Sequence, residues 1–100
     1  MDKKQQVSNL TGLAKRAGKV ITGEELVIKA IQNGSAQLVF LANDASSNLT
    51  KKINDKSKYY EISLSTIFTE MELSNAIGSN RKVIAITDRG FAKKMESLMN

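Results

Sequence analysis

The chain has 100 residues, a length typical of one domain with its own hydrophobic core. It contains no cysteine and no histidine, which excludes disulfides, thiolate metal sites, and catalysis by a thiol nucleophile or an imidazole base, and leaves carboxylates, lysine and serine. Fifteen lysines and arginines against ten acidic residues give a net charge of +5, which favours an acidic partner such as a nucleic acid. No apolar stretch suits a membrane span or a signal peptide, so we expect a cytoplasmic protein without a membrane partner. We also expect it to be a monomer.

The first half of the chain predicts helix, strand, helix and strand in that order. An apolar stripe at helical spacing covers residues 7–18 and stops at a glycine. A short strand at 20–21 leads into a helix at 23–33, which the next glycine ends. The continuous apolar run at 37–42 is typical of a central buried strand. The first stripe consists of Val7, Leu10, Leu13, Ala14 and Ala17, and the two terminating glycines are Gly18 and Gly34.

A third helix and a third strand should follow the central strand. Asn43 or Asp44 is the predicted N-cap of the helix, whose lysines are expected to form a solvated face. The strand is predicted at 59–62. Because side chains alternate across a strand, one of Tyr59 and Tyr60 should be buried and the other could stack on a base. The apolar helix positions are Ala45, Leu49 and Ile53, and the lysines are Lys51, Lys52, Lys56 and Lys58.

The last part of the chain predicts two short helices, a buried strand and a final helix. The short helices cover residues 64–71 and 73–78, the strand covers 82–87, and Asp88 caps the final helix. Strands that alternate with helices predict an α/β fold, here a three-layer α-β-α sandwich with a four-stranded mixed sheet, in a single domain over residues 1–100. The core positions of the final helix are Phe91, Met95 and Leu98.

The start of the second helix is the first candidate binding site. Thr22 is a good N-cap, and Glu25 three residues later would complete a capping box. Gly23 has no side chain, so another molecule can approach the backbone there. The N–H groups and partial positive charge of a helix start suit a phosphate or a base edge. Basic residues flank this point at Lys15, Arg16 and Lys19.

The body of the second helix contains Lys29, for which there are two alternative interpretations. The helix is apolar nearly all round, so we expect it to be covered on most sides, with Lys29 on the buried side near the ligand. Lys29 also follows Glu25 by four residues, the spacing of an ordinary helix ion pair.

The loop before the last strand is the second candidate site. Gly78 ends a short helix, and Ser79, Asn80 and Arg81 lead into the strand. We expect this loop at the same sheet edge as Gly23, where Asn80 could offer hydrogen bonds and Arg81 could contact a phosphate or stack on a base. The alternative is an ordinary exposed turn.

These segments together resemble the bacterial YlxQ-type branch of the kink-turn-binding superfamily of ribosomal proteins, which includes the archaeal L-seven-Ae protein. The resemblance covers nearly the whole chain and implies a non-catalytic α-β-α sandwich without a cofactor. It also implies that the second helix and the loop before the final strand recognise structured, kink-turn-like RNA such as ribosomal RNA, in association with the ribosome or the translation machinery. The segments that carry it are residues 13–19, 23–30, 38–42, 44–48 and 76–78.

The chain departs from the superfamily pattern at the central RNA motif. That motif reads Gly, any residue, Asn or Lys, Glu or Gln, two further residues and Lys. Aligned on Gly23 and Lys29, this chain has Glu25 at the Asn/Lys position and Leu26 at the Glu/Gln position. Glu25 can accept a hydrogen bond from a guanine, although with Glu24 it weakens the positive field. We expect Leu26 to pack into the core.

Other function classes are less well supported. The alternative is a protein-interaction module of the translation machinery with weak or no RNA binding. Glu25 and Leu26 favour it, whereas the net charge and the basic cluster of Lys15, Arg16 and Lys19 oppose it. No carboxylate pair, glycine-rich phosphate loop or metal-ligand spacing indicates an enzyme or a metal site. Asp44 after a buried strand resembles a phospho-acceptor position, but the predicted helix cap explains it.

Overall fold

Helices and strands alternate along the chain in the computed structural model, which describes residues 2–100. The first helix begins after Asp2, whose side chain accepts the N–H of Gln5 and so caps it. The elements in order are α1 (Lys3–Arg16), β1 (Val20–Thr22), α2 (Glu24–Gln32), β2 (Leu38–Leu41), α3 (Ser47–Tyr59), β3 (Ser63–Ser65), α4 (Glu70–Ile77), β4 (Val83–Ile86) and α5 (Arg89–Met99).

The four strands form one mixed sheet in the order β1-β4-β2-β3. β4 pairs antiparallel with both β1 and β2, and β3 adds to β2 in the parallel sense. All residues of β2 and β4 are buried, which confirms the prediction of two central strands from their continuous apolar runs.

The two faces of the sheet are covered by different helices. Phe40 and Ile84 point to a core shared with α1, α4 and α5, where Phe40 and Phe68 pack with ring centroids 5.4 Å apart. Val39 and Ala85, one residue away along the same strands, point to a core shared with α2 and α3. Side chains alternate across a strand, so one apolar run supplies both cores. The predicted three-layer sandwich is confirmed.

The prediction of a strand at 59–62 is wrong, because α3 continues through Tyr59. A Schellman motif ends the helix: Ile62 N donates to Ser57 O (2.8 Å) and Glu61 N to Lys58 O (3.2 Å). Glu61 takes the left-handed conformation this motif needs, with φ 56°. The edge strand therefore begins only at Ser63, and Tyr59 and Tyr60 are both exposed instead of one being buried.

The predicted cap of α3 is also wrong, because the chain uses Asn43 and Asp44 elsewhere. The Ser46 hydroxyl accepts the N–H of Leu49 and caps the helix. Asn43 donates its side-chain amide to Thr66 O, and Asp44 accepts the N–H of Glu70 at 2.8 Å. Both side chains thus tie the end of β2 to the connection that precedes α4.

A helix at 64–71 is not present, since the first residues of that segment form β3 and its connection. The helix begins at Glu70, where Thr69 and Glu72 form a complete capping box. Glu72 also pairs with Lys4 at 2.8 Å, and hydrogen bonds from Lys4 and from the Thr69 backbone hold the pKa of the Glu72 carboxyl below its ordinary value. These contacts place the N-terminus of α4 firmly beside α1.

The terminal helices follow the sequence-based prediction closely, except that α1 begins at Lys3 and that Leu13 and Ala17 of the predicted apolar stripe are exposed. Asp88 caps α5 by accepting the N–H of Phe91 (2.8 Å), as predicted, and Met95 is fully buried. In α1 the buried residues are Val7, Thr11 and Ala14, whereas Leu13 is 46% exposed and does not belong to the core stripe. Leu13 lies about 100° around the helix from Ala14, on the side that faces a groove between α1 and α4.

Candidate nucleic-acid interface

The turn between β1 and α2 depends on a glycine. Gly23 has φ 94° and ψ 149°, a region of backbone space that side chains essentially forbid. Its N–H donates to Val83 O at 3.2 Å, which fixes the turn against β4. Apart from its two chain neighbours, no part of residues 2–100 comes within 4 Å of a Cβ built at Gly23. Glycine is thus required by the backbone shape, and the space in front of it is open to another molecule.

The first turn of α2 has no side-chain cap, so the predicted capping box of Thr22 and Glu25 is wrong. Thr22 belongs to β1, opposite Ile84, and Gly23 occupies the N-cap position. The N–H groups of Glu24, Glu25 and Leu26 find no acceptor within residues 2–100. These unpaired donors and the positive end of the helix dipole can receive an anion or a base edge.

The loop from Gly78 to Arg81 is folded back on the end of α4. Gly78 takes the left-handed conformation, and its N–H donates to Ser74 O at 2.9 Å. The Ser74 hydroxyl accepts the N–H of Arg81 (3.0 Å) and lies 3.2 Å from Oδ1 of Asn80. Ser74 therefore shapes the loop, although nothing in its local sequence indicates this role. The side chain of Ser79 is partly exposed at the turn.

Arg81 joins this loop to β1. Its Nε donates to the Thr22 hydroxyl at 3.1 Å, and its Nη1 donates to Asn80 O at 2.8 Å. The Thr22 hydroxyl, expected to cap α2, instead receives this guanidinium. Two of the five N–H donors of Arg81 are used in these bonds, so the others remain for a ligand at the exposed surface.

The structure brings the two candidate sites together in one shallow groove of about 500 Å³. The start of α2 forms one wall, the loop before β4 forms another, and the beginnings of α3 and α4 complete it. The lining residues are Gly23, Glu24, Ser46, Leu49, Glu70, Asn80, Arg81, Lys82 and Val83. The expectation that Arg81 and Gly23 share one sheet edge therefore holds.

The charges around the groove differ from those expected. Glu24 pairs with Lys52 of α3 at 2.7 Å, so the negative charge of its carboxylate is neutralised. The sequence pattern predicts only a solvated helix face for Lys52. Glu25 is exposed, and its side chain has no partner within residues 2–100. No ion pair within 4.0 Å joins Glu25 to Lys29 among those residues, which removes the alternative of a simple helix pair.

Two expectations for α2 are wrong. The helix packs through Val27, Ala30 and Ile31, which leaves Leu26 58% exposed instead of buried. Lys29 is exposed as well and does not lie on the buried side. Both errors have one cause: apolar residues occur on nearly all sides of the helix in the sequence pattern, but only one stripe of it contacts the sheet and α3. Glu25, Leu26 and Lys29 together form the solvent face of α2.

The basic cluster before β1 is separate from this groove. Lys15 and Arg16 line the larger groove between α1 and α4, about 850 Å³, which reaches Gly78 at one end. Lys19 is placed by the end of α1, where its N–H donates to Ala14 O (2.9 Å). Its carbonyl accepts the N–H of Thr87, so Lys19 and Gly23 lie at opposite ends of β1.

Little in the described part of the chain indicates a metal site or a membrane-spanning helix. Residues 2–100 contain no cluster of three or more acidic side chains that could hold a metal ion. None of the helices within that range has the length and apolarity to cross a membrane. The groove at Gly23 and Arg81 is accordingly the main candidate site.

Comparisons with known proteins agree with this architecture. The chain is 54% identical over 96 residues to the RNA-binding protein YlxQ of Enterococcus faecium, covering 96% of this chain and 93% of that protein. It is 49% identical over 92 residues to the RNA-binding protein YlxQ of Bacillus subtilis, covering 91% and 92%. The structure of a protein of unknown function from Bacillus halodurans superposes with a TM-score of 0.89 at 41% identity, covering 93% and 95%.

A family model agrees with these relatives and with the resemblance noted in the sequence. It is described as the ribosomal protein L7Ae/L30e/S12e/Gadd45 family, and it matches residues 5–96. That match includes every strand of the sheet and both walls of the groove. The chain belongs to the ribosomal protein L7Ae/L30e/S12e/Gadd45 family.

Proposed function

We propose that this protein is a non-catalytic RNA-binding protein that recognises kink-turn or similar structured RNA in association with the ribosome or the translation machinery. The observation that carries the proposal is the uncapped start of α2, with three unpaired N–H groups beside the exposed guanidinium of Arg81. Polyanions with accessible base edges suit such a site. The family and the names of the relatives from Enterococcus and Bacillus support RNA as the partner.

Each wall of the groove has its own part in this proposal. The backbone at Gly23 approaches the RNA most closely, because no side chain occupies the space there. Arg81 contacts a phosphate or stacks on an extruded base, and Lys29 adds a phosphate contact from the solvent face of α2. Glu25 accepts from a guanine edge.

The remaining predicted contacts surround this centre. Thr22, Ser79 and Asn80 hold or extend the Arg81 side, and Glu24 remains paired with Lys52. The basic residues at and just after the C-terminal end of α1 contact the RNA backbone farther out. They are Lys15, Arg16 and Lys19.

The decisive test is a titration against a kink-turn RNA and a straight duplex of equal length at two or more salt concentrations. Neutralising a few phosphates should give a slope of log affinity against log salt of about −2 to −4. We expect tighter binding to the kinked RNA. Equal affinity for both RNAs would contradict recognition of the kink.

Arg81→Ala should weaken binding to the kinked RNA and make the salt slope shallower by about 1 if the contact is to a phosphate. Loss of affinity with an unchanged slope would instead indicate stacking. Lys94→Ala is the matched control, because it removes one exposed charge from α5 on the opposite face of the sheet. Equal effects of the two variants would show only a general charge contribution.

A protein-interaction module is the second candidate, and the exposure of Leu26 favours it. An exposed leucine on the solvent face of α2, beside the groove, can pack on a protein partner as well as on a nucleobase. Absence of binding to either RNA at low salt would select this function, and Leu26→Asn should then abolish capture of the protein partner.

A further inference from the structure

We propose that the C-terminal end of α3 is a second RNA contact, at which an unpaired base next to the kinked element stacks on Tyr59. This inference rests on the proposed function, since it extends the groove at Gly23 along α3. Tyr59 is 80% exposed, the most exposed of the large hydrophobic side chains in the described chain.

The two tyrosines are held in a defined arrangement. Their ring centroids are 4.8 Å apart and the ring planes are 73° apart, an edge-to-face contact. The Schellman motif through Ile62 and Glu61 fixes the backbone directly after them. Because Tyr60 packs against it, the exposed ring of Tyr59 has less side-chain freedom to lose on binding.

A row of lysines connects this platform to the groove. Lys52, Lys56 and Tyr59 follow one another at spacings of four and three residues, so they share one face of α3. Lys52 contacts Glu24 at the groove wall, and Tyr59 lies about 10 Å farther along the helix axis. Nearby, Asp55 pairs with Lys51, which leaves Lys56 and Lys58 without an acidic partner among the described residues.

This combination fits an unpaired nucleotide better than a duplex. Bases inside a helix are already stacked on one another, whereas unpaired bases can be laid on an aromatic side chain. Basic side chains that follow the backbone, with an aromatic platform at the end, are the usual arrangement for single-stranded nucleic acid. The chemistry therefore points to a single-stranded segment that leaves the kinked element toward α3.

The test compares four labelled RNAs: a blunt kink-turn, the same kink-turn with an unpaired tail of about six nucleotides on one end, the same kink-turn with that tail on the other end, and the tail alone. We expect one tail position to raise the affinity about tenfold. Tyr59→Ala should remove this gain and leave the affinity for the blunt RNA unchanged. Tyr59→Phe keeps the aromatic face and should keep the gain, and Lys94→Ala is the control.

Tyrosine emission gives an independent readout, because the chain has two tyrosines and no tryptophan. In a Tyr60→Phe variant Tyr59 is the only tyrosine, and the tailed RNA should quench its emission more than the blunt RNA does after correction for absorption.

The outcomes separate the two proposals. If no tail raises the affinity, or if the gain persists in Tyr59→Ala, the second contact is wrong even though the blunt RNA binds. If the blunt kink-turn and the straight duplex both fail to bind while the tail alone binds in a Tyr59-dependent way, the stacking site stands and the proposed function of the groove fails.

Discussion

The helices α2 and α4 both begin at the groove, but their first turns are built differently. At α4 the Thr69 hydroxyl, the Glu72 carboxylate and Asp44 satisfy backbone N–H groups, and Lys4 pairs with Glu72. At α2 a glycine stands at the N-cap, and the N–H groups of the first turn have no acceptor within residues 2–100.

This difference separates stability from binding within one surface. A capped first turn stabilises the helix and leaves nothing for a ligand to satisfy. An uncapped first turn forgoes that stabilisation and keeps its donors free, so the ligand itself can act as the cap. We therefore expect substitutions at α4 to change the free energy of unfolding, and substitutions at α2 to change RNA affinity.

The largest effect should come from Gly23→Ala, which places a Cβ in a backbone region that only glycine adopts easily. We expect the free energy of unfolding to fall by about 1–3 kcal/mol, measured by urea denaturation. RNA affinity should fall at least tenfold at temperatures where the variant remains folded, because the methyl group occupies the space reserved for the ligand.

Gly34→Ala is the matched control for Gly23→Ala. Gly34 also has a positive φ, 83°, and nothing within 4 Å of a built Cβ, but it lies at the other end of α2. It should cost about 1–2 kcal/mol of stability and leave RNA affinity unchanged. If both variants lose RNA affinity equally, strain in α2 would explain the loss and Gly23 would have no special role.

A middle-sized effect should come from Thr69→Ala, which removes the hydroxyl of the α4 capping box. Unfolding should become easier by about 0.5–2 kcal/mol, with no change in affinity for the kinked RNA. Thr22→Val should instead weaken RNA binding and leave the free energy of unfolding nearly unchanged, because it preserves the shape of β1 and releases Arg81. If Thr69→Ala weakens RNA binding as much as Thr22→Val, the separation of the two helix starts is wrong.

The smallest effect should be a pH dependence at α4. The pKa of Glu72 is lowered in the folded protein, so the stabilisation it brings is complete above its ordinary pKa and is lost as the pH falls through the lowered value. Glu72→Gln removes this contribution. The difference in Tm between the parent chain and Glu72→Gln should shrink from about pH 6 to about pH 3. A difference that stays constant with pH would show that the carboxylate is not responsible.

The sequence predicts well those features that depend on local or continuous patterns. The apolar runs identify β2 and β4, and Gly18 and Gly34 mark the ends of α1 and α2 because both take positive φ. The end of α3 could not be predicted in this way, because Glu61 takes a left-handed conformation that glycine normally occupies.

In the candidate site, too, local sequence patterns did not predict contacts that depend on the tertiary structure. Thr22 and Glu25 have the spacing of a capping box, but the Thr22 hydroxyl is taken by Arg81, a partner 59 residues later in the chain. Leu26 belongs to an apolar sequence pattern, yet its exposure is decided by which stripe of α2 meets the sheet. The RNA role of the site residues stays a prediction until it is measured.

The bond between Arg81 and Thr22 has a consequence for how the protein is made. Within residues 2–100 β1 pairs with β4 alone, so a growing chain has an unpaired first strand until residue 86 has been synthesised. Contacts this distant in sequence form late, because a long loop must close first. The groove therefore forms only after β4 has been synthesised, and a nascent chain that ends before Arg81 lacks one wall of the binding site.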